Sequence, residues 1–198
     1  MPVPDTYHHG DLRPALLRAA ARLLRDGGTD ALTLRALAEA VGVSRTAPYR
    51  HFKDKADLLV AVAAEGFERL RDTLHAVEPA DLDGLEPFEA MGVAYIQFAV
   101  ENPAHYRLMY GREALVRREI PVLQSAADAI FDEVVALIAT LQASGNLRTD
   151  DPEALAYVAW ATVHGLASLL VDGQIEQPDD IEALARLATR TLLDGLAA

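Results

Sequence analysis

Hydrophobic positions recur at helical spacing along most of the chain. The first predicted helix covers about residues 12–26, with Asp11 as its N-cap. Four apolar residues share one face of that helix: Leu12, Leu16, Ala20 and Leu23. No segment shows the apolar–polar alternation that is typical of a half-buried strand. The pattern therefore predicts an all-α protein.

Small polar residues and glycines divide the next segment into two short helices. Thr33 is the predicted N-cap of a helix that ends at Gly42, because glycine readily adopts the left-handed C-cap conformation. Ser44 is the predicted cap of a third helix over residues 45–52. Two helices joined by a short glycine-containing turn are typical of a helix-turn-helix, here over about residues 33–52.

Helical patterns continue to the end of the chain and are separated by proline and glycine. A long helix over 55–75 leads to a linker around Pro79. Five further helices are predicted over 85–102, 103–110, 121–143, 152–172 and 179–196. We therefore expect a three-helix helix-turn-helix domain over residues 1–56. A helical bundle is predicted over residues 57–198.

The charge distribution separates the same two parts. The net charge of the 198 residues is −12, which for the whole chain disfavours binding to nucleic acid. Residues 1–55, however, carry nine Lys and Arg against six Asp and Glu, a net charge of +3. The remaining residues carry nine against 24, a net charge of −15. This asymmetry favours a DNA-facing module joined to an acidic body.

The amino-acid composition indicates where in the cell the protein is located. The chain has no cysteine, which excludes disulfides and thiolate metal sites and favours a cytoplasmic location. Residues 154–171 lack charge and are just long enough to span a membrane. Their flanks, Asp151, Glu153 and Asp172, are acidic, whereas cytoplasmic flanks of membrane spans carry Lys or Arg. A helix buried in a soluble bundle is the better interpretation, and we expect no membrane association.

The helix-turn-helix contains side chains suited to DNA. Arg45 can pair with the O6 and N7 atoms of guanine, and Thr46 can contact a thymine methyl group. Lys55 is a cation in the first turn of a helix, a position that the helix dipole disfavours unless an anion binds there. The predicted DNA-contacting residues are Thr33, Ser44, Arg45, Thr46, Tyr49, Arg50, His51 and Lys55.

These residues resemble the tetracycline repressor (TetR) family of bacterial transcription regulators. The resemblance rests on Ser44-Arg-Thr-Ala-Pro-Tyr-Arg-His-Phe52 followed by Lys55-Ala-Asp-Leu58. Thr46 and the Ala47-Pro48 pair depart from the commonest family pattern. These departures affect which bases are read and not how the helix-turn-helix lies on DNA. Trp160-Ala-Thr-Val-His-Gly165 resembles the C-terminal signature of one subgroup, Trp-x-x-x-His-Gly. The resemblance implies a dimer formed by the last two helices and an inducer pocket in the body.

Aromatic and thioether residues on successive helices could line such a pocket. Pockets for small molecules are mostly apolar with few polar groups. The candidate effector-binding residues are Met91, Tyr95, Phe98, Tyr106, Met109, Tyr110, Trp160 and His164. The alternative is that they are ordinary core, with His164 ordering that core through a hydrogen bond. The predicted dimer interface comprises Leu166, Leu170, Ile181, Leu184, Ala188 and Leu192.

No pattern of an enzyme accompanies these features. The six histidines form neither His-Glu-x-x-His nor the Glu-x-x-His pairs of di-iron bundles, and no Gly-x-Ser-x-Gly is present. We expect no catalysis, no metal and no cofactor. The sequence predicts a ligand-responsive repressor that is a homodimer on palindromic double-stranded operator DNA. The alternative is a helical small-molecule sensor without specific DNA binding.

Overall fold

The computed structural model of the protein describes residues 12–77, 84–111 and 119–196. Within these ranges the chain forms eight α-helices, one 3₁₀ helix and no strand, which confirms the all-α prediction. The helices are α1 (Leu12–Ala31), α2 (Leu34–Val41), α3 (Lys55–His75), α4 (Glu86–Glu101), α5 (Pro103–Tyr110), α6 (Pro121–Ala143), α7 (Pro152–Val171) and α8 (Ile181–Leu196). The predicted N-cap Asp11 and the linker residue Pro79 lie outside the described residues.

The chain divides into two compact units. The first comprises the residues up to Glu65 together with the segment from Ala104 to Leu115, and the second begins at Gly66. The first unit therefore extends beyond residue 56 and includes α5, which its sequence position had placed with the C-terminal helices. Helical periodicity identifies a buried face but not the helix that covers it, so this grouping could not be predicted.

Caps and glycines shape the first unit as predicted. Gly27 and Gly28 leave helical geometry, and Gly28 has a φ of 64°, so the regular part of α1 ends there. The hydroxyl of Thr33 accepts a hydrogen bond from the N–H of Ala36 (3.0 Å) and caps α2. Gly42 has a φ of 77° and ends α2 in the left-handed conformation.

The predicted α-helix over residues 45–52 is wrong in form. After a turn, the chain makes only the 3₁₀ helix Pro48–Arg50. An N–H at position 48 of an α-helix would bind the Ser44 carbonyl, but proline has none. That carbonyl instead accepts from the N–H of Ala47, three residues on (3.0 Å). We call residues 44–52 the recognition segment.

Two carboxylates cap the start of α3. Asp54 accepts a hydrogen bond from the N–H of Asp57 (2.9 Å), and Asp57 accepts one from the N–H of Lys53 (2.9 Å). The first bond satisfies a backbone donor that the first turn of a helix leaves open, and the second ties Lys53, just before the helix, to that turn. Both carboxylates place negative charge at the positive end of the helix dipole. The recognition segment is thereby followed at once by a rigid helix.

Helix α7 lies at the centre of the second unit. It packs against α4, α6 and α8, and α4 also packs against α8. One apolar cluster joins these helices and includes Phe88, Ile138, Leu141, Leu147, Leu155, Ala159 and Leu193. Helix α7 is long and apolar enough to cross a membrane, with 39% of its most apolar window buried inside the protein. The buried part of this window packs against the three neighbouring helices, and length and composition alone are weak evidence for a membrane span.

Helices α4 and α8 are held together by a close contact at Gly92 and by ion pairs to Glu89. A β-carbon on Gly92 would lie 2.5 Å from Cγ2 of Thr189, so only glycine fits there without a shift. Arg186 and Arg190 of α8 both contact the Glu89 carboxylate, at 3.2 and 3.1 Å. Hydrogen bonds from Arg186 to Glu182 and then to Glu89 raise the pKa of the Arg186 guanidinium. The Arg186 guanidinium thus links the Glu182 carboxylate of its own helix to Glu89 on α4.

Candidate DNA-binding surface and effector site

The predicted DNA-contacting side chains lie largely in solvent. Six are exposed, namely Thr33, Ser44, Arg45, Thr46, Tyr49 and Arg50. Tyr49 is 60% exposed, so most of this large aromatic side chain faces solvent. By contrast, Pro48 is buried and Phe52 is only 1% exposed. The recognition segment is therefore anchored by apolar residues and presents polar ones outward.

The prediction that Ser44 caps a helix is wrong, because the 3₁₀ helix is preceded by Ala47 and has no side-chain cap. Its hydroxyl lies 3.2 Å from the hydroxyl of Thr46, and both side chains are exposed. The pair forms a small polar group at the beginning of the recognition segment. Hydroxyl groups of this kind can donate to phosphate oxygens, which fixes register on DNA without reading sequence.

Lys55 has a partner within its own chain. Its amine donates a hydrogen bond to the backbone carbonyl of Thr29, in the last turn of α1 after the break at Gly27 and Gly28. The nearby carboxylates of Asp54 and Asp57 also offset the unfavourable placement of a cation at a helix start. The position of Lys55 therefore has a structural explanation, and its phosphate contact stays a prediction that its two further N–H donors allow.

Arg13 is a residue of this surface that sequence reasoning missed. It lies in the first turn of α1, and its guanidinium carbon is 5.6 Å from the centre of the Phe52 ring. That distance is within the range of a cation–π interaction. No periodicity or spacing connects residue 13 with residue 52, so the sequence carried no signal for this contact.

In the second unit, three of the predicted effector-site residues share hydrogen bonds. The hydroxyl of Tyr95 lies 3.1 Å from Nδ1 of His164 and accepts a hydrogen bond from Nε1 of Trp160 (3.3 Å). The Trp160 and His164 rings are 5.2 Å apart. Helices α4 and α7 thus form a partly buried polar centre within aromatic surroundings, the composition that small-molecule sites typically have.

The other predicted effector residues are placed differently. Phe98 is buried and Met91 half-buried on α4. Tyr106, Met109 and Tyr110 belong to α5 and hence to the first unit, where the two tyrosine rings are 5.4 Å apart. Phe98, Tyr106 and Met109 are each 2% exposed, as core residues are. Their role in effector binding stays a prediction.

Two aromatic residues that the sequence analysis did not name extend the cluster around Trp160. The Phe131 ring of α6 is 4.6 Å from the Tyr157 ring and 6.5 Å from the Trp160 ring. Tyr157 is 52% exposed, so the cluster runs from the polar centre to the protein surface. The aromatic residues of α6 and α7 carried no distinguishing spacing that would have identified this pairing.

The surfaces of α7 and α8 include exposed apolar residues. Tyr157, Val158 and Leu169 of α7 and Leu187 of α8 are 44–63% exposed. Of the predicted interface residues, Leu166, Ile181, Leu184, Ala188 and Leu192 are half-buried. Leu170 is 2% exposed and packs inside its own chain, whereas its neighbour Leu169 faces outward. A β-carbon on Gly165 would meet open space, so this part of α7 is accessible.

A buried histidine–carboxylate pair lies in the first unit. Nε2 of His105 on α5 is 3.3 Å from the Glu65 carboxylate on α3, and the His105 side chain is 5% exposed. The contact joins two helices and does not form part of a larger ligand set. Among the described residues, no group of three His, Asp or Glu side chains could hold a metal ion.

Two family models match the chain. The model described as bacterial regulatory proteins, tetR family, covers residues 16–62, and the model described as tetracyclin repressor-like, C-terminal domain, covers residues 88–192. The first spans the helix-turn-helix, and the second spans the helices that carry Tyr95, Trp160 and His164.

Similar proteins cover nearly the full length of the chain. The transcriptional repressor AcnR of Corynebacterium efficiens is 29% identical over 191 residues, which is 93% of this chain and 86% of AcnR. A solved structure of a Rhodococcus sp. RHA1 protein of unknown function is 35% identical, with a TM-score of 0.80, and covers 98% of this chain and 100% of that one. A tetR-family regulatory protein from Rhodococcus RHA1, 19% identical with a TM-score of 0.77, covers 98% and 99% and shares the fold.

Proposed function

The chain belongs to the tetR family of bacterial regulatory proteins, and from this premise we propose that it is a repressor that a small-molecule effector releases from its operator. The observation that carries the proposal is the recognition segment, which is anchored by buried Pro48 and Phe52 and exposes Arg45, Tyr49 and Arg50. Repression is the activity named for AcnR, and we transfer it to this chain as part of the proposal.

The DNA contacts divide into two kinds. Arg45 and Thr46 lie at the beginning of the recognition segment and read base edges in the major groove. Thr33, Ser44, Tyr49, Arg50, His51 and Lys55 contact phosphates. Phosphate contacts set position and supply the salt-dependent part of the affinity.

A homodimer places two recognition segments on one operator. Exposed apolar residues on α7 and α8 support an interface that pairs these two helices with their copies. A two-fold axis requires a near-palindromic site whose halves are about 34–36 Å apart. A protein that acts on the chromosome in this way works in the cytoplasm.

The effector site that we propose centres on Tyr95, Trp160 and His164. Its hydrogen-bonded core and aromatic surroundings favour an apolar or aromatic effector that is neutral or cationic. Trp160, His164 and Gly165 also match the Trp-x-x-x-His-Gly signature, so we assign the body to that subgroup. No cofactor or catalytic step is part of the proposal.

Binding to the protein's own promoter region tests the proposal. The wild-type dimer should prefer that fragment to a shuffled one at about 0.15 M salt, the physiological ionic strength. With about 6–8 phosphate contacts, log K should fall against log salt with a slope of about −5 to −7. Arg45→Ala should reduce the preference for the promoter fragment as well as the affinity. Equal binding of both fragments, with and without a panel of apolar effectors, would instead support a sensor without specific DNA binding.

A further inference from the structure

Arg13 is held against the recognition segment although it lies 39 positions before Phe52 in the sequence. The Phe52 ring is 1% exposed, and its backbone N–H donates to the carbonyl of Pro48 (2.9 Å). The ring is therefore a fixed part of that segment. A guanidinium 5.6 Å above it takes its position from the segment and not from α1 alone.

The charged end of Arg13 nevertheless remains in solvent. Arg13 is exposed, and the ring contact is its one interaction with another described residue. An aromatic face attracts the charge but leaves most of the five N–H donors of a guanidinium unbound. A long side chain held in one place also loses less conformational freedom when it binds a ligand.

From this geometry we infer that Arg13 binds a phosphate of the DNA backbone beside the bases that the recognition segment reads, with Phe52 as its positioning residue. The inference rests on the proposed DNA binding. A planar guanidinium matches the geometry of phosphate and can donate two hydrogen bonds to it. In each subunit, which we call a head where it meets DNA, the contact surface thus extends beyond the helix-turn-helix to the first turn of α1.

The test compares Arg13→Ala with Arg22→Ala, since Arg22 is also an exposed arginine on α1 but lies more than two turns further along the helix. Affinity is measured for the promoter fragment and for a shuffled fragment from about 50 to about 200 mM salt, the range over which phosphate contacts weaken strongly. Arg13→Ala should weaken binding to both fragments by the same factor. Its salt slope should be less steep by about 1 for each head, or about 2 for a dimer.

A slope difference of about 2 means that the affinity deficit of Arg13→Ala shrinks about 16-fold over this fourfold salt range. Arg22→Ala should keep the wild-type slope, and Arg13→Lys, which keeps the charge, should recover most of it. The inference is overturned if Arg13→Ala keeps the wild-type salt slope, or if Arg22→Ala loses as much of that slope. It is also overturned if the affinity deficit of Arg13→Ala disappears under conditions in which both proteins are fully folded. Failure of the wild-type protein to bind any DNA would overturn the proposed function itself.

Discussion

The hydroxyl of Tyr95 lies 3.1 Å from Nδ1 of His164, a contact that joins α4 to α7 across 69 positions of sequence. The same oxygen accepts from Trp160, so its removal leaves two polar groups without this partner. Tyr95→Phe should lower the free energy of unfolding by about 1–3 kcal/mol, because two hydrogen bonds worth about 0.5–1.5 kcal/mol each are lost. Urea unfolding followed by the fluorescence of Trp160, the chain's single tryptophan, measures it.

Tyr157→Phe is the matched control for that experiment. Tyr157 is 52% exposed, and its hydroxyl is 3.5 Å from Glu153 on the same helix. Its loss should change the free energy of unfolding by less than about 0.5 kcal/mol, as is usual for surface positions. Equal unfolding midpoints for wild type and Tyr95→Phe would contradict a stabilising role of the polar centre.

Trp160→Ala should remove the effector response while sparing DNA affinity in the effector-free protein. Trp160 joins the polar centre to the Phe131 ring, so truncation destroys the proposed site but leaves the recognition segment intact. In the wild type, an effector should weaken operator binding about 5-fold to 150-fold, the usual range of coupling between sites. Operator titrations with and without the effector measure this factor. A Trp160→Ala protein that still responds normally would place the effector elsewhere.

Val158→Arg should convert the proposed dimer into a monomer. Val158 is 49% exposed on α7, and a charge buried at an interface without a partner costs several kcal/mol. Val122→Arg on α6 is the matched control, because Val122 is a similarly exposed valine (58%) outside α7 and α8. Sedimentation at micromolar concentration should give a monomer for the first variant and a dimer for the second. Dimers of unchanged affinity in both would exclude the α7 face from the interface.

Helix positions could be read from the sequence more easily than helix partners. The observed bounds of α3 to α8 agree with the predicted ranges to within two residues, since prolines and glycines mark them. The recognition segment was misassigned because the local effect of Pro48 on one hydrogen bond outweighed the helical pattern around it. The contact of Arg13 with Phe52 depends on how α1 and the recognition segment pack together, and no local sequence pattern indicates that packing.

Gly92→Ala should destabilise the second unit by crowding α4 against α8. The new β-carbon would lie 2.5 Å from Cγ2 of Thr189, whose side chain is buried and donates a hydrogen bond to the Ala185 carbonyl (3.0 Å). Because Thr189 is held in this way, the helices must separate. Overpacking costs about 1–3 kcal/mol. Alanine's better helix propensity returns about 1 kcal/mol of that.

The second substitution Thr189→Ser tests this explanation directly, since it removes the clashing methyl group and keeps the hydroxyl. The double variant should recover most of the free energy of unfolding that Gly92→Ala loses, giving a coupling of about 0.5–3 kcal/mol between the two positions. Gly165→Ala is the control for helix propensity, because its β-carbon would meet open space. Urea unfolding of the wild type, Gly92→Ala, Thr189→Ser and the double variant measures the coupling. Additive effects would show that Gly92 is required for a reason other than its distance from Thr189.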